Sequence, residues 1–471
     1  MLKGLEAVEV KFSEIYQDNI EFRLDSDFFQ KTFIENVRIA KSKPHSYLKP
    51  LISDLKSFGA YSLCNYINFQ EEGIPFIRCL NIKNGVIDFN NVLYIDEPSN
   101  ELLWKSEVKP RMVLVTMSGT VGNATVALEH WNYPMNTNQD IAKIETSKVN
   151  PFFLSTFLNT RFGLLQMQRL QAGAIQQHLY LSQIEKLIIP TFSDTFQKLI
   201  EETIKIGYEN IEEAKNLYSA TQNKLLSKLD LTNWKPSEEG KAVKKFSKSF
   251  AISGRLDAEY YQPKFDEVVE VISNLNHRTL GSIATFKKSI EPGSDAYQTE
   301  GISFIRVSDI TKFGLSQPEI HLDRKEFDLA DLKPKKDTIL LSKDGSVGIA
   351  YKVEQDLDVI TSSALLHLTI TDKEVLPDYL TLVLNSKLTQ MQAQRDAGGS
   401  IIQHWRPDEI KQVLIPVLPM DTQKELTKQI KQSFKRRQES TKLIDIAKQA
   451  VELAIEKDEK TAMKFIKDNT E

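Results

Sequence analysis

Gly73-Ile74-Pro75-Phe76-Ile77-Arg78 is restated 228 residues later as Gly301-Ile302-Ser303-Phe304-Ile305-Arg306, and this restatement decides the fold. The echo continues on both sides. Upstream, Arg23-Leu24-Asp25 with Phe28-Phe29-Gln30 returns as Arg255-Leu256-Asp257 with Tyr260-Tyr261-Gln262. Downstream, Ser118-Gly119-Thr120-Val121-Gly122 returns as Asp344-Gly345-Ser346-Val347-Gly348, and Gln177-His178 as Gln403-His404. The offset drifts only from 232 to 226, so few insertions separate the copies. Copies this long are whole domains, because solenoid repeats run to only about 20 to 50 residues. A chain of two similar, non-identical domains is expected to engage two similar, non-identical things.

Each copy reads as a β-rich part followed by a helical part. Ile74 to Ile77, Val86 to Phe89, Val92 to Ile95, Val113 to Thr116 and Thr125 to Leu128 are short β-branched runs punctuated by turn formers. Such runs predict strands of mixed or antiparallel sheets. Phe153, Phe157, Leu158, Leu164, Leu165 and Met167 then follow helical spacing. Long helices without internal proline are expected over about 194–230 and 421–458. Ile204, Gly207, Ile211, Ala214, Tyr218, Thr221 and Leu225 alternate by three and four, a heptad seam. Shifting by 226 gives Ile430, Ser433, Arg437, Ser440, Ile444, Ala447 and Val451, a more polar seam in the same register. The expectation is that the two helices pair as an antiparallel coiled coil, with Gly207, Ala214, Ala447 and Ala454 allowing close approach. About 35 residues at about 1.5 Å each make a rod near 50 Å, a ruler between two domains.

The fold class expected is therefore α+β, with two similar domains separated by long helices. The segments are 1–192, a first spacer helix at 193–231, a polar linker at 232–254, a second domain at 255–418, a second spacer helix at 419–458 and a tail at 459–471.

Composition narrows the class. With 41% hydrophobic and 26% charged residues, each half can bury a core of its own. No apolar run approaches a membrane span and the N-terminus lacks a signal-peptide core, so a cytoplasmic protein is expected. Cys64 and Cys79 fit a reducing compartment better than a disulfide framework. The net charge of −4 does not exclude DNA, because local clusters such as Lys333, Lys335, Lys336 and Lys343 set the field in a groove.

Active-site motifs are imitated rather than present. Asn150-Pro151-Phe152-Phe153 is like an adenine-methyltransferase loop but lacks its second proline and any Gly-rich cofactor loop, so it reads as a helix start. Asp408 and Glu409 are too crowded for a nuclease metal site. The seven histidines lack metal-ligand spacing, and no Gly-Lys-Ser/Thr phosphate loop occurs. No catalytic residue and no metal site is expected.

Candidate contacts lie in the shared motifs. Paired glycines three apart, in 118–122 and 345–348, allow a turn whose backbone approaches a phosphate. Its residues Ser118, Thr120, Ser342, Lys343 and Ser346 join Gln176, Gln177, His178, Gln403 and His404, whose side chains suit base edges or phosphates. Arg78 and Arg306 end matching strands and suit phosphate. Each motif also has a bland reading, as a hairpin connection, a cap or an ion pair. Arg-Leu-Asp with its aromatic pair reads as packing, with Arg bridging Asp.

The order of these motifs, duplicated over nearly the whole chain, resembles the specificity subunits of type I restriction–modification systems. The resemblance implies two target-recognition domains on double-stranded DNA, one per half of a bipartite asymmetric target, with a gap set by the helices. It also implies N6-adenine methyltransferase partners, two of them, and an ATP-dependent restriction or translocase subunit. S-adenosylmethionine would belong to the methyltransferase, leaving this chain without a cofactor. The specificity subunit of a bipartite-site type II enzyme fits the same helices, and a non-catalytic protein scaffold is the rival of another class. Salt-sensitive, sequence-selective DNA binding separates DNA reader from scaffold.

Overall fold

Val113–Thr116 is buried along its whole length, which is why it reads as an unbroken apolar run rather than an alternating one. It lies inside a four-stranded antiparallel sheet ordered Ala124–Val126, Val113–Thr116, Ile141–Thr146, Ile52–Lys56. Ile141–Thr146 escapes a reading for apolar runs because Lys143 interrupts it. The structure, a computed structural model, describes residues 9–17, 19, 23–58, 61–83, 85–89, 92–171, 177–399 and 402–470. Contacts divide it into two units, Met1–Ile211 with Arg437–Glu471, and Glu212–Arg436.

In the first unit a second sheet runs Phe69–Gln70, Leu93–Ile95, Ile74–Ile77, Met135–Thr137, Glu107–Val108. Only Ile74–Ile77 and Met135–Thr137 are parallel neighbours. The helix Pro151–Leu158 starts where Asn150 accepts from the N–H groups of Phe152 and Phe153. Asn150-Pro151 is thus a helix cap, as the residues suggested, and the helix buries Phe152, Phe153 and Phe157 in the main core with Val113, Val115 and Ile144.

The second unit repeats the scheme. Its four-stranded sheet runs Ala284–Lys288, Leu365–Ile370, Ile339–Ser342, Ala350–Lys352, all antiparallel and in the same order as the first. Its other sheet sets Ile302–Ile305 between His321–Leu322 and Val359–Thr361, and the last pair is again parallel. The Arg-Asp clasp also recurs: Arg23 holds Asp25 and the Gln171 carbonyl, while Arg255 holds Asp257 and the Asp396 carbonyl.

The long helices span Asp194–Lys228 and Met420–Glu456. In the first unit Gly207 meets Ser440 and Ile444, and Ser193 bonds Glu459. In the second, the Ser433 hydroxyl donates to the Ala214 carbonyl at 2.6 Å and Lys224 pairs with Glu425 at 2.5 Å. Rising numbers on one helix meet falling numbers on the other, so the segments in each unit are antiparallel. Ile204, Ala214, Tyr218, Leu225, Ile430, Ile444, Ala447 and Val451 are buried, and Ile211 is half-buried. On the polar seam the Ser433 hydroxyl is satisfied by its bond, while at Arg437 burial lowers the guanidinium pKa and the Asp88 charge opposes that only in part.

The structure adds three details to the expected segments. Each unit takes part of both long helices, at 193–231 and 419–458, into its own core, because the apolar seam continues the core behind the sheet. The tail is a helix, Glu459–Thr470, held by buried Ala462 and Ile466. The linker contains a short helix, Phe250–Ser253, closed by Gly254 in the left-handed region. No helix among the described residues is long and apolar enough to cross a membrane.

Candidate nucleic-acid interface

Both copies of the glycine turn are built from one buried hydroxyl. The Thr116 hydroxyl donates to the Thr120 carbonyl at 2.5 Å and accepts from the Asn123 N–H at 3.0 Å. The Ser342 hydroxyl donates to the Ser346 carbonyl at 2.6 Å and accepts from the Ile349 N–H at 2.9 Å. Gly119 and Gly345 adopt φ of 70° and 71° at the tips, with open space where a Cβ would stand. The second glycine of each turn, at φ 95° and 86°, is also crowded, Gly122 by Met167 and Gly348 by Gln390.

The structure brings the turn and the Gln-His segment together, which spacing alone had left apart. Ser118 bridges His178, and Asp344 bridges His404, each as an antiparallel pair. The Leu179 N–H donates to the Met117 carbonyl at 2.8 Å, and the Trp405 N–H to the Lys343 carbonyl at 2.7 Å. Buried Leu179 and Trp405 anchor these tongues, leaving Gln177, Gln403 and His404 exposed and His178 half-buried. Thr120 and Ser346 are exposed at the turn tips. Gln176 lies outside the described residues.

Arg78 and Arg306 adjoin the same surface. Each starts a short 3-10 helix whose third residue accepts its backbone N–H, Asn81 at 2.9 Å and Asp309 at 2.8 Å. The Asn138 N–H donates to the Ile77 carbonyl and the Ser362 N–H to the Ile305 carbonyl. The loops beginning there then reach the turns, where the Met117 N–H donates to Asp140 and the Lys343 N–H to Ala364. Arg306 also pairs with Asp309 at 3.6 Å.

Two expected contact residues are reassigned. Ser342 is 0% exposed and Ser118 6% exposed. The Ser342 hydroxyl is spent on shaping its turn, while Ser118 serves through its backbone bridge. Asp344, which was not singled out, turns out to face His404; only the folded proximity of residues 60 apart reveals it.

In each unit the same sheet position carries a buried basic group. Lys143 Nζ donates to Thr137 Oγ1 at 3.0 Å, and His367 Nε2 meets Thr361 Oγ1 at 2.8 Å. Burial first, and the Lys56 charge second, bring the Lys143 ammonium down to about 7. Burial and then Lys287 bring His367 down to about 4. Both values lie below the ordinary ones, so the unfolded chain binds more protons across each window and stability falls as pH drops through it. The windows are 10.5 to about 7 for Lys143 and 6.5 to about 4 for His367. Lys143→Met is expected to stabilise the protein at pH 7 by about 1–4 kcal/mol, as when buried charge gives way to apolar volume. His367→Leu is expected to flatten the decline in stability between pH 6.5 and 4. Urea unfolding over a pH series checks both; an unchanged slope in either variant contradicts that assignment.

Residues 272–447 match the family model described as "Type I restriction modification DNA specificity domain". That stretch of the chain is similar to the DNA specificity domain of type I systems. It is 23% identical over 390 residues to the Type I restriction enzyme EcoBI specificity subunit of Escherichia coli, covering 78% of this chain and 74% of that one. It is 19% identical over 385 residues to the StySPI specificity subunit of Salmonella potsdam, covering 79% and 77%. Of solved structures, it is similar to the type I restriction–modification S subunit from M. genitalium, at 14% identity and a TM-score of 0.39, covering 88% and 94%. Among the described residues, no group of three or more His, Cys, Asp or Glu side chains could hold a metal.

Proposed function

We infer that this chain is a type I specificity subunit, which reads a bipartite, asymmetric target on double-stranded DNA, one half-site per unit, and carries no catalytic group of its own. The observation that supports this reading is the paired surface: the same turn, tongue and arginine recur in both units, while the side chains they present differ. Met117 and Ser118 stand where the second unit has Lys343 and Asp344, as expected of two surfaces reading different sequences. Arg78 and Arg306 supply salt-dependent phosphate contact, and Gln177, His178, Gln403 and His404 face base edges. The long helices set the gap.

The methyl transfer belongs to N6-adenine methyltransferase subunits, two per chain because the recognition surface is duplicated, and these bring S-adenosylmethionine. An ATP-dependent restriction subunit completes the assembly, which works on DNA in the cytoplasm. The test is a map of adenine methylation in host DNA with and without this gene. Loss of methylation at one interrupted, asymmetric motif is the expected result. An unchanged map overturns the reading.

A further inference from the structure

The Asp344 carboxylate spans two neighbours. One oxygen lies 2.9 Å from His404 Nδ1 and the other holds the Lys343 ammonium. An ionised carboxylate only accepts, so the proton between Asp344 and His404 resides on Nδ1. In the neutral ring Nε2 is then left as an acceptor.

The backbone around this pair is pinned. Gly345 N–H donates to the Gln403 carbonyl at 2.8 Å, and His404 exchanges two bonds with Gly398, at 2.7 and 3.1 Å. Trp405 is buried directly after it, whereas the His404 side chain is 63% exposed. One ring nitrogen is anchored and the ring is presented outward, the arrangement by which a carboxylate orients a histidine toward a ligand. The first unit keeps the histidine and the bridge but has Ser118 in the carboxylate's place, and His178 meets the Tyr180 ring at 5.0 Å instead. The orienting device therefore belongs to one unit.

We propose that Asp344 is a positioning residue for base reading, holding His404 so that Nε2 accepts from an exocyclic amine in the major groove. Cytosine N4 and adenine N6 offer that amine, and guanine and thymine do not. One position of one half-site is thus read as cytosine or adenine. This rests on the DNA-reading function proposed above.

The experiment selects bound duplexes from a randomised DNA library with the purified full-length chain, comparing wild type with Asp344→Ser, Asp344→Asn, His404→Ala and His404→Gln. Wild type is expected to enrich an interrupted motif with cytosine or adenine at the position concerned. Asp344→Ser and His404→Ala lose roughly fivefold of that preference, the scale of one hydrogen bond, at a single position. Asp344→Asn, which keeps an acceptor for Nδ1–H, retains most of it. Unchanged preference in Asp344→Ser, or equal fading of every position of the half-site in both Asp344→Ser and His404→Ala, overturns the positioning role. If wild type enriches no motif, the DNA-reading function fails and this role with it.

Discussion

Inserting seven residues between Ile211 and Glu212, together with seven between Arg436 and Arg437, is expected to lengthen the unread gap in the target by about three base pairs. Seven helical residues rise about 10.5 Å, and duplex DNA advances about 3.4 Å per base pair. Seven residues also fall only about 20° short of two full turns, so the seam keeps its face. The insertion points are where contacts divide the chain, which leaves Ser193–Glu459, Ser433–Ala214 and Lys224–Glu425 in register within their own units. The half-site sequences should not change, since neither recognition surface is touched. Natural targets would go unmethylated, and sequencing methylated adenines in cells carrying the variant with its partner subunits would reveal the new spacing. Methylation persisting at the old spacing would remove the helices as the ruler. An insertion in only one helix leaves the two unequal and is expected to destabilise the chain instead.

Replacing Trp405 by alanine is expected to cost about 3–5 kcal/mol, the range for deleting a large buried aromatic side chain. The indole is 1% exposed and belongs to the second unit's main core with Leu388, Ile410 and Val413. Its backbone N–H ties the tongue to Lys343, so the cavity opens directly beneath the His404 surface. The first half-site should still be read while the second is lost. Trp405→Phe retains most of the apolar volume and should cost less, helped by the buried indole N–H meeting no hydrogen-bond partner among the described residues. Urea denaturation followed by half-site selection separates the two effects. A loss below about 1 kcal/mol in Trp405→Ala would show that the tongue is not anchored there.

Much of this architecture was legible before folding. Val113–Thr116 and Ile74–Ile77 were found as strands with their observed bounds, because continuous apolar runs between turn formers leave few alternatives. The long helices were expected within two residues of their observed ends, Asp194–Lys228 and Met420–Glu456. Ile52–Lys56 and Ile141–Thr146 were not found, since Asp54 and Lys143 break their apolar patterns. Lys143 is tolerated there by its bonds to the Thr137 hydroxyl and the Ile141 carbonyl, which no local pattern encodes. Ser342 stands beside paired glycines whose backbone suits a phosphate, but its burial follows only from the turn closing over it.

The amino-acid sequence by itself determined that the protein is a duplication, that each copy is sheet followed by helix, and that the helices carry matched seams. Those properties are written in local periodicity and in repetition, and neither needs a contact to be known. Tertiary structure alone decided that both long helices contribute to each unit's core, that the turn and the tongue form one surface, and that Asp344 meets His404 while Ser118 leaves His178 to Tyr180. These depend on which distant residues are brought within hydrogen-bond range by packing, a relation that spacing along the chain does not carry.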